Sequence, residues 1–406
     1  MRGGVGAVLS YWRAERRTIR QGIVALVVAS LGNLVAGLTL GSITGTLERL
    51  PGLLVLVPAA IGMRGNIFGA LGSRLGTTIH SGLFEVTRRR EGIVYQNVAA
   101  AVVLTFAVSV ILGALAKTLS VAFGLPAMSI VDFVAISLLG GVLSSVVVGV
   151  FTVMLSIRAF RRGWDLDSVA APLVTAVGDM VTLPTLFLAT FAVGIPIVTP
   201  VVTACMVLIT VWVTIRGLRS DLPRTRRIVR HSILLLTVAG TIDVFAGLVA
   251  EKWLEHFIAY PALLVLIPPF LADAGALGGI LSSRLASKLH LGALTPRGRP
   301  EAVALLDTSI IFLFSFWLFA LVGISADVAA RLAGLASPGA LVVLGISLFG
   351  GLLATCFAVV VAYYAATASF RLGLDPDDFG IPIITSSMDF LGVISLVIAL
   401  LVFGVA

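Results

Sequence analysis

Residues 165–179 read D-L-D-S-V-A-A-P-L-V-T-A-V-G-D, and residues 375–389 read D-P-D-D-F-G-I-P-I-I-T-S-S-M-D. Five positions are shared: Asp165/Asp375, Asp167/Asp377, Pro172/Pro382, Thr175/Thr385 and Asp179/Asp389, each pair 210 apart. Each stretch opens a long apolar segment and puts one carboxylate at mid-membrane depth, roughly ten residues or ~15 Å in at ~1.5 Å rise per residue. A carboxylate at that depth is costly and marks a functional site.

The rest of the 406-residue chain fits a polytopic membrane protein. It is 59% hydrophobic and 12% charged, where soluble domains carry about 25% charged residues. Its mean hydropathy is +1.11. Eleven passes are expected at 21–41, 51–80, 94–117, 130–158, 168–194, 200–217, 229–250, 260–290, 301–325, 338–368 and 378–404, each near or beyond the ~20 residues a span needs. Basic residues collect in alternate connections: Arg2, Arg13, Arg16, Arg17 and Arg20, then Arg88–Arg90, Arg158–Arg162, Arg216–Arg230, Lys288–Arg299 and Arg371. The intervening connections hold Arg49, Lys117, Lys252 and Arg331. That asymmetry implies a plasma-membrane protein with a cytoplasmic N-terminus and an extracellular C-terminus. The net charge of +8 is therefore read as loops facing anionic lipid, with the bilayer as partner and no nucleic acid. The basic start reads as cytoplasmic, not as a signal peptide. Cys205 and Cys356 lie in apolar runs and read as small hydrophobes.

The 210-residue register runs through most of the chain. P-G-L-L-V-L-V-P (51–58) returns as P-A-L-L-V-L-I-P (261–268), Ser73-Arg74-Leu75 as Ser283-Arg284-Leu285, and Gly140-Gly141 as Gly350-Gly351. The division expected is a basic segment 1–20, a first five-pass repeat 21–199, a linker pass 200–217 and a second repeat 218–406. Five passes per repeat would invert the second copy; the linker pass restores parallel orientation. The fold class is then all-α: two parallel five-helix repeats related by a pseudo-two-fold along the membrane normal, a pseudo-dimer in one chain that brings Asp179 to Asp389.

Two carboxylates facing each other in low dielectric repel, and need a shared proton or a cation. No His or Cys accompanies them, which disfavours zinc, copper and iron. Two monodentate carboxylates suit a Mg²⁺ that keeps most of its waters. Thr175 and Thr385 sit one turn earlier on the same helix face. G-x-x-x-G pairs at Gly65/Gly69 and Gly275/Gly279 let backbones approach closely, as ordinary helix packing or as a broken helix whose carbonyls line a cavity. Arg74 and Arg284 read as snorkelling to the cytoplasmic surface, and Pro172 and Pro382 as first-turn prolines. The repeats differ where Asn33, Met63 and Asn97 become Asp243, Asp273 and Asp307. Asp243 and Asp273, with Asn33 and Asn66, form a second candidate set, for another ion or for coupling to Na⁺ or H⁺. Pairing with Arg64 is the alternative.

The pattern P-x-L-L-V-L-V-P…G-x-x-G-N…S-R-L, then D-x-D-x-x-x-x-P-x-x-T-x-x-x-D, resembles the membrane domain of MgtE-type magnesium channels. Its two-copy layout is similar to solute carrier family 41. The resemblance spans about residues 20–404. It implies a five-helix unit working as a pair, Mg²⁺ held at the fifth helices by Asp179 and Asp389 in a central pore, and carbonyls near Thr175 and Thr385 contributing. Mg²⁺ is the implied cargo, with Mn²⁺ or Co²⁺ as further hard cations, and no organic cofactor. The sequence departs from the channels in lacking their soluble gating domains, and Asn66 becomes Ala276. Two other readings exist: a Na⁺- or H⁺-coupled exchanger on the same fold, and an intramembrane aspartyl protease. The protease signature is incomplete in A-V-G-D and S-S-M-D, so no enzyme activity is expected.

Overall fold

The computed structural model describes residues 4–85, 87, 89–162, 166–373 and 380–405. Asp165, Asp375, Asp377 and Arg88 lie outside them. The described residues form helices α1 (Gly4–Ala14), α2 (Arg16–Ser42), α3 (Thr44–Arg49), α4 (Leu53–His80), α5 (Ile93–Ala122), α6 (Ile130–Arg162), α7 (Leu166–Thr190) and α8 (Val198–Leu218), then α9 (Pro223–Lys252), α10 (Leu254–Ala259), α11 (Pro261–His290), α12 (Ala302–Leu332), α13 (Ala340–Leu372) and α14 (Ile381–Val402). No strand occurs among them. Eleven of these helices are long and apolar enough to cross a membrane, one for each expected pass. The chain is a multi-pass, all-α membrane protein.

Several ends differ from expectation. Helix α5 runs past residue 117 to Ala122 because Lys117 needs no exit from it: its Nζ donates to the Ala127 carbonyl at 3.1 Å. Pro382 occupies the first turn of α14, as expected, but Pro172 falls inside α7, which starts at Leu166. The short α3 and α10, also 210 apart, and α1 within the basic start were not foreseen. Cys205 and Cys356 are free and lie on exposed helix surfaces.

The chain packs as two compact units, Met1–Ser42 with Trp253–Ala406, and Ile43–Lys252. In the first unit α2 lies along α11 and α12; in the second α9 lies along α4 and α5. By the 210 register α9 is the counterpart of α2. The compact units therefore cut each sequence repeat after its first long helix, and each unit holds the first helix of the other repeat.

Glycine makes both of these contacts. A methyl on Gly37 would sit 2.1 Å from the Val265 carbonyl oxygen; one on Gly247 would sit 2.3 Å from that of Val55. The two contacts are 210 apart at every residue. Prolines loosen the backbone there: Pro58 in α4, Pro268 and Pro269 in α11. A proline has no N–H to offer the turn before it. Val265 faces prolines at both its third and fourth following residues, so its carbonyl lacks the usual helical donors at the place where Gly37 lies against it.

Within each unit the hydroxyl bonds repeat as well. Ser137 Oγ donates to Ser109 O at 2.7 Å and Ser347 Oγ to Phe319 O at 2.6 Å. Thr105 meets Ser145 at 3.0 Å, and Ser315 meets Thr355 at 2.6 Å. Polar side chains satisfied across a helix pair are how apolar bundles fix register without water. One cap has no counterpart: Glu251, on α9, accepts from the Gly52 N–H at 2.6 Å and so closes the start of α4.

Helix α8 belongs to the second unit and is the least covered span, with 17% of its window buried. It is entered through Ile197, the only non-glycine residue with positive φ among the described residues, at 69°. A β-branched residue there is strained by about 1–2 kcal/mol. Ile197 is exposed, so Ile197→Gly is expected to raise the unfolding temperature in detergent by relieving that strain; an unchanged or lower value would refute it.

Candidate cation-binding carboxylates

Asp179 is carried by α7, where it is 3% exposed. The helix around it is apolar, and its hydroxyls bond inward: Thr182 Oγ1 donates to the Gly178 carbonyl at 2.6 Å. Helix α7 packs on α4 and α6. The α4 contact falls at the G-x-x-x-G pair: methyls on Gly65 and Gly69 would lie 3.5 Å from Thr175 Cγ2 and 3.8 Å from its Oγ1. The expected close approach is present, and Thr175 is the side chain seated in it.

Asp389 is carried by α14, half-buried, in the other unit. Helix α14 packs on α11 and α13. A methyl on Gly275 would lie 3.7 Å from Thr385 Cα and Cγ2, so Thr385 repeats the place of Thr175. Thr385 Oγ1 donates back to the Pro382 carbonyl at 3.1 Å. The second glycine, Gly279, has open space around it.

The two settings differ in their charged neighbours. Arg64, in α4, is 1% exposed. Its Nε donates to Ser144 Oγ at 2.8 Å and its Nη1 to the Ala60 carbonyl at 2.9 Å, while Nη2 has no hydrogen-bond partner. A methyl on Gly178, beside Asp179, would lie 3.6 Å from Arg64 Cβ. The 210 register puts Ala274 at the equivalent place of the second repeat, so the cationic neighbour has no copy there. The space by Gly141 that holds Arg64 Nη2 is taken by the Phe319 ring at Gly351.

The second candidate set divides between the units. Asp243 and Asn66 lie in the second, Asn33 and Asp273 in the first. Asp243 is wholly buried on α9, its Oδ2 2.5 Å from where a methyl on Gly62 would be. Asp273, wholly enclosed on α11, bonds to Ser30, a residue the sequence offered no reason to single out. Arg64's own bonds run to Ser144 and Ala60.

Arg74 and Arg284 are each held by a polar side chain of the following helix. Arg74 Nε donates to Asn97 Oδ1 at 3.0 Å, and Arg284 Nε to Asp307 Oδ1 at 2.9 Å. Asp307 is buried and also holds Lys288 Nζ at 2.6 Å. Tyr11 Oη donates to Asp307 at 2.7 Å, and Trp12 Nε1 to Ser309 Oγ at 3.0 Å, which pins α1 onto α12. This cluster ties down the third extra carboxylate structurally. Asp307→Asn strands Lys288 and is expected to cost about 1–3 kcal/mol, read as a lower unfolding temperature. Adding Lys288→Thr recreates the Arg74/Asn97/Thr78 set of the first repeat and is expected to recover part of the loss.

Among the described residues no three His, Cys, Asp or Glu side chains group into a metal cluster.

Comparison with known proteins gives a consistent picture. The family model MgtE, divalent cation transporter, matches twice, at residues 57–189 and 267–399, in the same 210 register. Solute carrier family 41 member 3 of Rattus norvegicus is 26% identical, covering 92% of this chain and 85% of that protein. Solute carrier family 41 member 2 of Homo sapiens is 24% identical, covering 91% of this chain and 68% of that protein. No solved structure matches.

Proposed function

Because the chain belongs to the MgtE family of divalent cation transporters, we propose that it moves Mg²⁺ across the plasma membrane, with Asp179 and Asp389 as its ligands. The observation that carries this reading is that the last membrane helix of each family match carries an aspartate at the same place in the 210 register, Asp179 and Asp389. Two carboxylates neutralise a dication without stripping it. Mg²⁺ dehydrates reluctantly and is bound through one or two carboxylates plus waters. Thr175 and Thr385, one turn before the aspartates, add hydroxyl and carbonyl oxygens for those waters. Mn²⁺ and Co²⁺ share the charge and take similar ligands. The chain acts as its own pseudo-dimer, one aspartate from each repeat, and has no catalytic role. The basic connections favour a cytoplasmic N-terminus and an extracellular C-terminus.

The test is flux into proteoliposomes holding the purified full chain, with Mg²⁺, Mn²⁺, Co²⁺ and Ca²⁺ offered separately. Mg²⁺ entry above that of empty vesicles, and above Ca²⁺ entry, is expected. No divalent flux, or flux of Ca²⁺ over Mg²⁺, would refute the proposed cargo.

A further inference from the structure

Asp273 lies in α11 at 1% exposure. Its Oδ2 accepts a hydrogen bond from Ser30 Oγ at 2.5 Å, across the α2–α11 contact. Among the described residues no Lys, Arg or His side chain pairs with it. Asn33, one turn along α2, is 3% exposed, and its Oδ1 has no partner. Ser30, Asn33 and Gly37 share one helical face, and the first and last of them touch α11. A buried carboxylate without a countercharge and a buried amide oxygen without a donor thus lie on the two helices of one crossing. An unmade bond of this kind costs about 1–3 kcal/mol per group. A proton on the carboxyl turns one acceptor into a donor.

We propose that Asp273 is a proton-binding site of the transport cycle, so that divalent cation movement by this chain is exchanged against protons. The proposal rests on the divalent-transport reading above. The step breaks one O–H bond: the proton passes to water and the electron pair stays on the carboxylate. A dication does not suit the place: a single carboxylate leaves it half neutralised in low dielectric, and the Ser30 hydroxyl already donates to that carboxylate.

Helix α11 links this crossing to the aspartate of α14. Methyls on Gly278 would meet Ile384 and Met388, and one on Gly392 would meet Leu271 and Ala274. Asp273 and Asp389 therefore stand on helices that cross beside both residues. A divalent cation at Asp389 favours the ionised form of a neighbouring carboxyl, so cation entry and proton loss go together. The other charged groups on helices against α11 are engaged or terminal. Asp307 is held by Arg284 and Lys288, Asp327 by Arg331 at 2.8 Å, and Arg371 ends α13. Glu255 and His256 are on the short α10 at the far end of α11, and α2 has no acid or base between Arg20 and Ser42. The first repeat has Met63 at this place, so the device is single.

The experiment uses the full chain in proteoliposomes, with a Mg²⁺ dye and a pH dye inside and the membrane potential clamped by K⁺ and valinomycin. An inward Mg²⁺ gradient is expected to alkalinise the lumen. Asp273→Asn is expected to lower proton flux per Mg²⁺ at least tenfold, and Asp273→Glu to retain it. Mg²⁺ flux in the unaltered protein with no pH change overturns the proposal, as does an undiminished proton flux in Asp273→Asn. Absence of Mg²⁺ flux altogether refutes the cargo instead. Should Asp273→Asn not assemble, Ser30→Ala decides: the pH of half-maximal flux moves if Asp273 titrates in the cycle, and stays if it does not.

Discussion

Asp179→Asn and Asp389→Asn should each cut Mg²⁺ flux into proteoliposomes by roughly ten- to 150-fold. A hydrogen bond or contact to a charged group contributes about 1.5–3 kcal/mol, and each 1.4 kcal/mol is tenfold in occupancy. Removing one of two carboxylates also leaves the dication half neutralised in low dielectric. Asparagine keeps the size of the side chain and an oxygen, so the loss is of charge and not of packing. It also removes the cost of holding a carboxylate at membrane depth, so both variants should elute and melt like the parent. The two positions need not respond alike. Asp179 lies beside the turn that packs on Arg64, whereas the second repeat has Ala274 there. Flux that survives in both variants, in protein that still melts normally, would exclude these aspartates as ligands.

The largest structural effect is expected at the crossings of α2 with α11 and α9 with α4. Gly37→Leu and Gly247→Leu should each prevent assembly, seen as loss of the monodisperse peak in detergent. The atom that a first side-chain carbon meets is a backbone oxygen, at 2.1 Å and 2.3 Å, and a backbone oxygen cannot swing away as a side-chain tip does. Ordinary overpacking costs about 1–3 kcal/mol; here the helices themselves must part. Gly45→Ala, with nothing within 4 Å, is the control and should behave as the parent. Normal assembly of both leucine variants would mean that α2 and α9 are not seated as described.

Much of this architecture could be read from the sequence because hydropathy and register are local signals. Each expected pass has its helix, and the 210 offset holds from Gly37 to Ser347. The glycines at 65 and 69 also announced the contact that Thr175 fills. What escaped notice was the choice of partner. Nothing in the apolar faces of α2 and α9 says which copy of the second helix they join, since α4 and α11 are nearly alike there. The choice rests on packing between residues more than 190 apart. The same distance hid Ser30 from Asp273. The bonds of Arg74 to Asn97 and Arg284 to Asp307 each reach 23 residues on, to the next helix, so neither left a local signal.

The arrangement of the first unit has a consequence for biosynthesis. Helix α11 begins 219 residues after α2 ends. At ~5–20 residues per second, translation takes roughly 10–45 s to cover that interval. For that time α2 waits in the bilayer without its mate, while α4 waits a shorter interval, 143 residues from His80 to Pro223, for α9. A ribosome halted midway would leave one orphan segment and one unit nearly whole, so nascent chains of increasing length should gain protease resistance first over residues 43–252 and only at the end over the opening helix.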